Sequence, residues 1–192
     1  HLGIFPEQRP LWNKISSLIR ASKRENIQVL NIFAYSGGST LAAALAGAAV
    51  CHLDAAKGMV DWARKNAELN NLKNAPIRWI VDDAMKFLHR EVKRGKRYDA
   101  IILDPPTFGR GANGELFKIE SDILDLLKLC KKLISDQPLF MLLSCHTAGF
   151  TSDTLQYLLE DCGMKGEVET GELILQGACT RKIPNGNWAM IR

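Results

Sequence analysis

The chain lacks most of the signatures that assign a protein quickly. Its five cysteines (Cys51, Cys130, Cys145, Cys162 and Cys179) form no C-x-x-C pair and have no metal-ligand spacing. An odd, dispersed set argues against a disulfide framework and against a structural metal, and fits reduced thiols in a cytosol. No apolar run approaches membrane-spanning length, and no signal peptide is visible. There is no internal repeat and no low-complexity segment. Neither sign of charge dominates: the net charge is +4 and the pI about 8.8, which permits a polyanionic partner without demanding one. Two nucleotide-binding loops are also missing after the first predicted strand. The turn there, Tyr35–Thr40, is not the G-x-G-x-x-G that a dinucleotide needs, and it has no Walker lysine for a triphosphate.

What is present suits one compact domain: 192 residues, 46% of them hydrophobic. The chain begins at His1 and enters as though partway through a structure, so it reads as a fragment of a longer polypeptide. Residues 1–26 form a lead-in segment with a helix, where Pro10 precedes Leu11, Trp12, Ile15, Leu18 and Ile19 at helical spacing. Residues 27–192 form the main domain. Strands are predicted over Ile27–Phe33, Val50–Leu53, Ile77–Val81, Ala100–Leu103, Leu139–Leu143, Glu172–Gln176 and Trp188–Ile191. Helices are predicted over Thr40–Gly47, Met59–Leu69, Ala84–Lys93, Ile119–Ile134 and Thr154–Leu159. Strand and helix alternate through the first two-thirds, which argues for a doubly wound, mostly parallel α/β sheet with helices on both faces.

In such sheets ligands collect at the carboxyl ends of strands. Asp54, Asp83 and Asp104 each fall at such an end, and a Gly37-Gly38 turn follows the first strand. Asp54 follows that strand by about twenty residues, the distance at which nucleotide-binding folds grip a ribose. The turn lacks a third glycine, so it suits a cofactor without a phosphate. S-adenosylmethionine (SAM) is such a cofactor: Asp54 would accept from the ribose hydroxyls, Asp83 from the adenine amino group, and Ala55 and Phe87 would wall the ring. Ala84, next to Asp83, joins the cofactor-binding candidates. Each acid alone also fits a helix N-cap. The set of three favours the cofactor.

Asp104 opens Asp104-Pro105-Pro106 after an apolar strand. Prolines cannot donate backbone hydrogen bonds and hold the chain extended, leaving their carbonyls to accept from a planar nitrogenous substrate. A rigid turn is the alternative. The glycine-bearing stretch 109–114 reads as a mobile substrate loop, and Arg110 within it as a phosphate or base contact. The basic run 89–97 reads as a solvated helix end.

The segments VLNIFAYSGG, HLDAAK, VDDAMKF and DPPTFGRG resemble the class I SAM-dependent ribosomal RNA methyltransferases, in particular the group containing the 23S rRNA cytosine-C5 enzymes. The resemblance runs from about Phe5 to Leu143. It implies a Rossmann-like, seven-stranded fold with Phe33, Tyr35, Gly37, Gly38, Asp54, Asp83 and Asp104 around SAM. The FPEQR segment is similar to one that closes over the cofactor in this family, which makes Gln8 a candidate contact. It further implies an RNA partner, a cytoplasmic location and rRNA processing. Members usually carry an N-terminal RNA-binding domain. No metal or membrane partner is expected, and the oligomeric state is left open.

Cytosine C5 is a poor nucleophile. Adding a thiolate at C6 makes C5 enamine-like, able to take a methyl, after which a base strips the C5 proton. Cys145 ends the fifth predicted strand, next to the fourth in the usual strand order, so Cys145 and Asp104 are expected to border one cleft as the catalytic pair. The family's cytosine-C5 members carry a cysteine at the corresponding Ser-Cys. His146 stands where those members often show serine. A buried structural thiol is the competing reading of Cys145. Methylation of a base nitrogen, methylation of a small molecule and a non-catalytic SAM-binding domain are the competing functions.

Overall fold

A computed structural model of the chain describes residues 3–111, 114–177 and 181–192. Cys179, expected to have no partner, lies outside the described residues, as do His1 and, within the glycine-bearing stretch 109–114, Ala112 and Asn113. A 3-10 turn over Pro6–Gln8 leads into α1 (Arg9–Ala21). Then follow β1 (Gln28–Ile32), α2 (Gly38–Leu45), β2 (Ala49–Asp54), α3 (Lys57–Leu69), β3 (Ile77–Val81), α4 (Ala84–Lys93) and β4 (Ala100–Leu103). The second half contains β5 (Phe108–Arg110), β6 (Leu116–Lys118), α5 (Ile119–Leu133), β7 (Phe140–Cys145), α6 (Ser152–Asp161), β8 (Val168–Gln176) and β9 (Lys182–Ile191).

Seven strands form one sheet in the order β3-β2-β1-β4-β7-β9-β8. The first five run parallel, and β9 is antiparallel to both of its neighbours. This is the Rossmann-like, doubly wound arrangement expected. Strand order reverses between β1 and β4, which opens a crevice at their carboxyl ends.

The strands are apolar on both sides because helices cover both sides. Alternation sends Leu30, Ile32, Ile101, Leu103 and Leu143 to one layer, with Phe87 of α4, Leu126 of α5 and Leu155 of α6. It sends Val29, Val50, Ile102 and Leu142 to the other, with Leu11, Ile15 and Ile19 of α1 and Ala43 of α2. The small residues of α2 let it sit close to the sheet, and it begins two residues earlier than expected. Gly37 takes the N-cap with φ +93°, a left-handed value that favours glycine.

The hairpin of β5 and β6 corrects the reading of 109–114 as a loop at its first two residues, Gly109 and Arg110, which lie in β5. Gly109 is the centre of a strand and pairs with Phe117. Strands of three residues carry too little alternation to be read from sequence. β8 and β9 also extend beyond their predicted bounds, because polar stretches such as Glu169–Glu172 pair with the partner strand rather than facing a core.

Candidate active site

Register places the site. Ile32 pairs with both Leu53 and Leu103, and Leu103 pairs with Leu143, so these four form one row across the sheet. One residue further on stand Phe33, Asp54, Asp104 and Ser144. They emerge together at the carboxyl edge, at the point where strand order reverses.

Two cavities open there, and they share Phe33, Tyr35 and Pro106 as a common wall. Phe33 and Tyr35 both have left-handed backbones, with φ of 58° and 48°. Such positions cost about 1–2 kcal/mol for a non-glycine residue and gather at ligand sites.

The first cavity, about 320 Å³, is lined by Gln8, Gly37, Gly38, Asp104, Pro105 and His146 among others. At its base the α1 ring of Trp12 lies so close to Gly38 that a Cβ there would come within 2.5 Å of it. The α2 N-terminus opens into this space, and its first amide groups are natural partners for a carboxylate. Gln8, buried beneath the lead-in segment, donates from Nε2 to Asp104 Oδ2 at 3.3 Å and to Ser144 Oγ at 3.4 Å. The Ser144 hydroxyl donates to Asp104 Oδ1 at 2.7 Å. Burial pushes the Asp104 carboxyl above the usual range, and the nearby imidazole of His146 and the Ser144 hydroxyl pull it back.

The second cavity, about 390 Å³, contains Asp54, Ala55, Asp83 and Ala84, with Phe33, Met59, Phe108 and Phe117 as apolar walls. Asp54 accepts from Tyr35 N–H at 2.9 Å and from Ala56 N–H at 2.8 Å, one bond per oxygen. Each oxygen has a second acceptor site, so the carboxylate is aimed and still able to accept. Burial raises its pKa, and those two amides oppose the rise. The N-cap of α3 is Ala56, so Asp54 is not a helix cap. Asp83 is one: its Oδ1 accepts from Lys86 N–H at 2.9 Å.

The residues fit SAM. An aimed acid for two hydroxyls, an apolar slot for a purine and helix amides for a carboxylate stand in one continuous cleft, in the order the cofactor needs. No Walker-type lysine stands among the residues lining either cavity, which suits a cofactor without a phosphate.

All but two of the expected site residues meet here. Gln8, Phe33, Tyr35, Gly37, Gly38 and Asp104 line the first cavity, and Asp54, Ala55, Asp83 and Ala84 line the second. Cys145 lines neither. Its strand lies beside β4 as expected, but alternation turns its side chain to the layer of Leu143, away from Ser144 and Asp104. The thiol is fully buried and accepts from Thr147 N–H at 3.4 Å. Burial pushes its pKa up. Phe87 is likewise corrected: α4 buries it in the core, and Phe33, Phe108 and Phe117 take the wall role instead. Trp62 is partly exposed and packs against Gly3.

Residues 17–164 match the model of a family described as S-adenosylmethionine-dependent methyltransferase. The chain belongs to that family. It is 32% identical over 160 residues to the ribosomal RNA large subunit methyltransferase K of Neisseria meningitidis serogroup B, covering 83% of this chain and 42% of that protein. It is 31% identical over 141 residues to the ribosomal RNA large subunit methyltransferase I of Escherichia coli O139:H28, covering 73% of this chain and 35% of that one. The chain thus spans less than half the length of either relative. Among solved structures, the SAM-dependent methyltransferase from Agrobacterium tumefaciens superposes with a TM-score of 0.94 at 36% identity, over 100% of this chain and 64% of that one.

Proposed function

We propose that this chain carries the catalytic domain of an enzyme that moves the methyl group of SAM to a base of ribosomal RNA, in the cytosol. Cytosine C5 is the target atom its Ser144-Cys145 pair supports. One observation carries the reading: a single cleft, divided at Phe33 and Tyr35, has a sugar-gripping acid in one half and Asp104-Pro105-Pro106 in the other. The names of the two ribosomal RNA methyltransferases support RNA as the substrate class.

Bound in the cleft, SAM would supply an electrophilic methyl on a sulfonium. Asp54 would hold its ribose, Asp83 and the wall of Phe33 and Phe117 its adenine, and the α2 N-terminus its carboxylate. Asp104 and the proline carbonyls would accept from the amino group of the base, fixing the reacting atom against the methyl. Gln8 keeps the Asp104 carboxylate oriented for that task.

Methylation at C5 requires the Cys145 thiol to leave its packed position and reach C6 of the cytosine. A second reading, methylation of a base nitrogen, is favoured by that burial: the thiol faces the core, and no cysteine stands among the described residues lining the half of the cleft around Asp104. Cys145→Ala separates the two. Loss of turnover with SAM binding intact, together with a covalent adduct trapped on RNA containing 5-fluorocytosine, marks C5 chemistry. Normal methylation by Cys145→Ala marks a nitrogen target.

A further inference from the structure

When the methylated atom is cytosine C5 or an amino nitrogen, the base is left with one proton too many, and the cleft needs a group to take it. His146 is the basic side chain among the described residues lining the first cavity. Its two ring nitrogens have unlike surroundings. Nδ1 lies 2.5 Å from the backbone carbonyl oxygen of Asn185. A carbonyl only accepts, so Nδ1 carries a hydrogen in either charge state of the ring. The exchangeable position is therefore Nε2, and Nε2 faces the cleft.

Both charge states of Nε2 already have a partner. In the neutral ring its lone pair accepts from Gln8 Nε2 at 3.3 Å. In the protonated ring Nε2–H faces Asp104 Oδ1 at 3.6 Å, and the Gln8 amide retains Asp104 Oδ2 and Ser144 Oγ as acceptors. Asp104 accepts from Ser144 and Gln8 and is assigned above to the amino group of the base, which leaves the proton to His146. Asp104 faces the ring, and Glu7 of the 3-10 turn accepts from the side chain of Asn185, whose backbone carbonyl meets Nδ1. Phe5 lies over the ring at 6.2 Å between centroids. Cys145, the neighbour in sequence, points to the opposite layer.

We propose that His146 Nε2 is the proton acceptor of the methyl transfer, with Asp104 balancing the charge of the imidazolium that results. This rests on the RNA-base reading above. In the step, a bond forms between the base atom and the methyl carbon, and the sulfur–carbon bond breaks with its electron pair left on sulfur. The proton on the methylated amino nitrogen or C5 passes to Nε2, and its bonding pair stays with the base; in the C5 case that pair reforms the C5–C6 double bond as the C6–sulfur bond breaks and the Cys145 thiolate leaves. Solvent removes the proton from the ring as the product leaves. Gln8 is a positioning residue: it aims both Asp104 and His146.

The test uses His146→Ala and His146→Gln, with SAM affinity measured by calorimetry and transfer of tritiated methyl to unmethylated ribosomal RNA. Both variants are expected to bind SAM as wild type does and to lower kcat about a hundredfold or more, with KM for RNA little changed. Free imidazole should restore part of the rate to His146→Ala and none to His146→Gln, whose amide fills the space. Wild-type kcat in His146→Ala would overturn the assignment. So would a loss that imidazole leaves uncorrected, which assigns the ring to packing. Wild-type protein that binds SAM and labels no RNA would overturn the substrate reading instead, before any variant is made.

Discussion

On the proposed function Asp54 holds a sugar, and it also orders the chain around it. Its oxygens accept the Tyr35 and Ala56 amides, so they fix the turn after β1 and the approach to α3 before any ligand arrives. That preorganisation lets the remaining acceptor sites meet two ribose hydroxyls with little further ordering. Asp54→Asn keeps the size and one acceptor oxygen but removes the charge. It should lose about 1.5–3 kcal/mol of SAM binding, roughly ten- to a hundredfold in Kd by calorimetry, because charged hydrogen bonds are the stronger ones. The same carboxyl predicts a pH dependence. Burial raises its pKa, so lowering the pH protonates Asp54 earlier than an exposed aspartate. Wild-type affinity for SAM should fall through that range, while the affinity of Asp54→Asn should be flatter.

Asp83 belongs to an element as much as to a ligand site, and the two roles can be separated. Its Oδ1 caps α4 through Lys86 N–H, and the residue lines the second cavity. Asp83→Ala removes both roles and should cost about 1 kcal/mol of stability. Asp83→Ser retains a good cap, so thermal unfolding should match wild type, and a several-fold loss of SAM affinity would then report the adenine contact alone. Elements of this kind were legible in the sequence. The bounds of β3, α4 and β4 coincide with prediction because each is a clean period closed by an acid, a turn or a proline. The site residues at strand ends were legible for the same reason. What escaped was the hairpin of β5 and β6, whose inner face rests on one residue: Phe117, buried against the Phe33 ring at 5.2 Å between centroids. One large apolar residue between an exposed leucine and a lysine gives no repeat to detect. The direction of Cys145 was also available from strand alternation, since Ser144 and Cys145 must face opposite layers once Ser144 meets Asp104.

The stability of the whole molecule carries a signature of one side chain at the centre of the sheet. His52 on β2 is fully buried between Thr40, whose Oγ1 lies 2.9 Å from Nδ1, and the Trp79 ring at 4.9 Å. Asn31 donates to the same Thr40 hydroxyl at 2.9 Å, so the chain from β1 through α2 to β2 is tied by polar groups inside an apolar layer. Among the described residues, His52 Nε2 is the one buried side-chain nitrogen or oxygen with no hydrogen-bond partner. A second proton on this ring would have to enter a site that offers it nothing, and burial, with Arg64 nearby, pushes its pKa down from 6.5 to about 3. The unfolded chain binds that proton at the ordinary value and the folded one does not. Stability is therefore full above the unfolded pKa and is lost as the pH falls toward the folded one. Asp54 and Asp104 work in the opposite direction, since raised carboxyl pKa values favour the folded state as they protonate. The comparison that isolates His52 is with His52→Leu, which fills a similar volume and cannot titrate. By urea unfolding, wild type should lose about 2 kcal/mol more than His52→Leu between pH 7 and pH 5, because the full linkage is about 1.4 kcal/mol per pH unit below the unfolded pKa. Equal slopes in the two proteins would mean that the folded sheet admits the proton, with the Thr40 tie giving way to accommodate it.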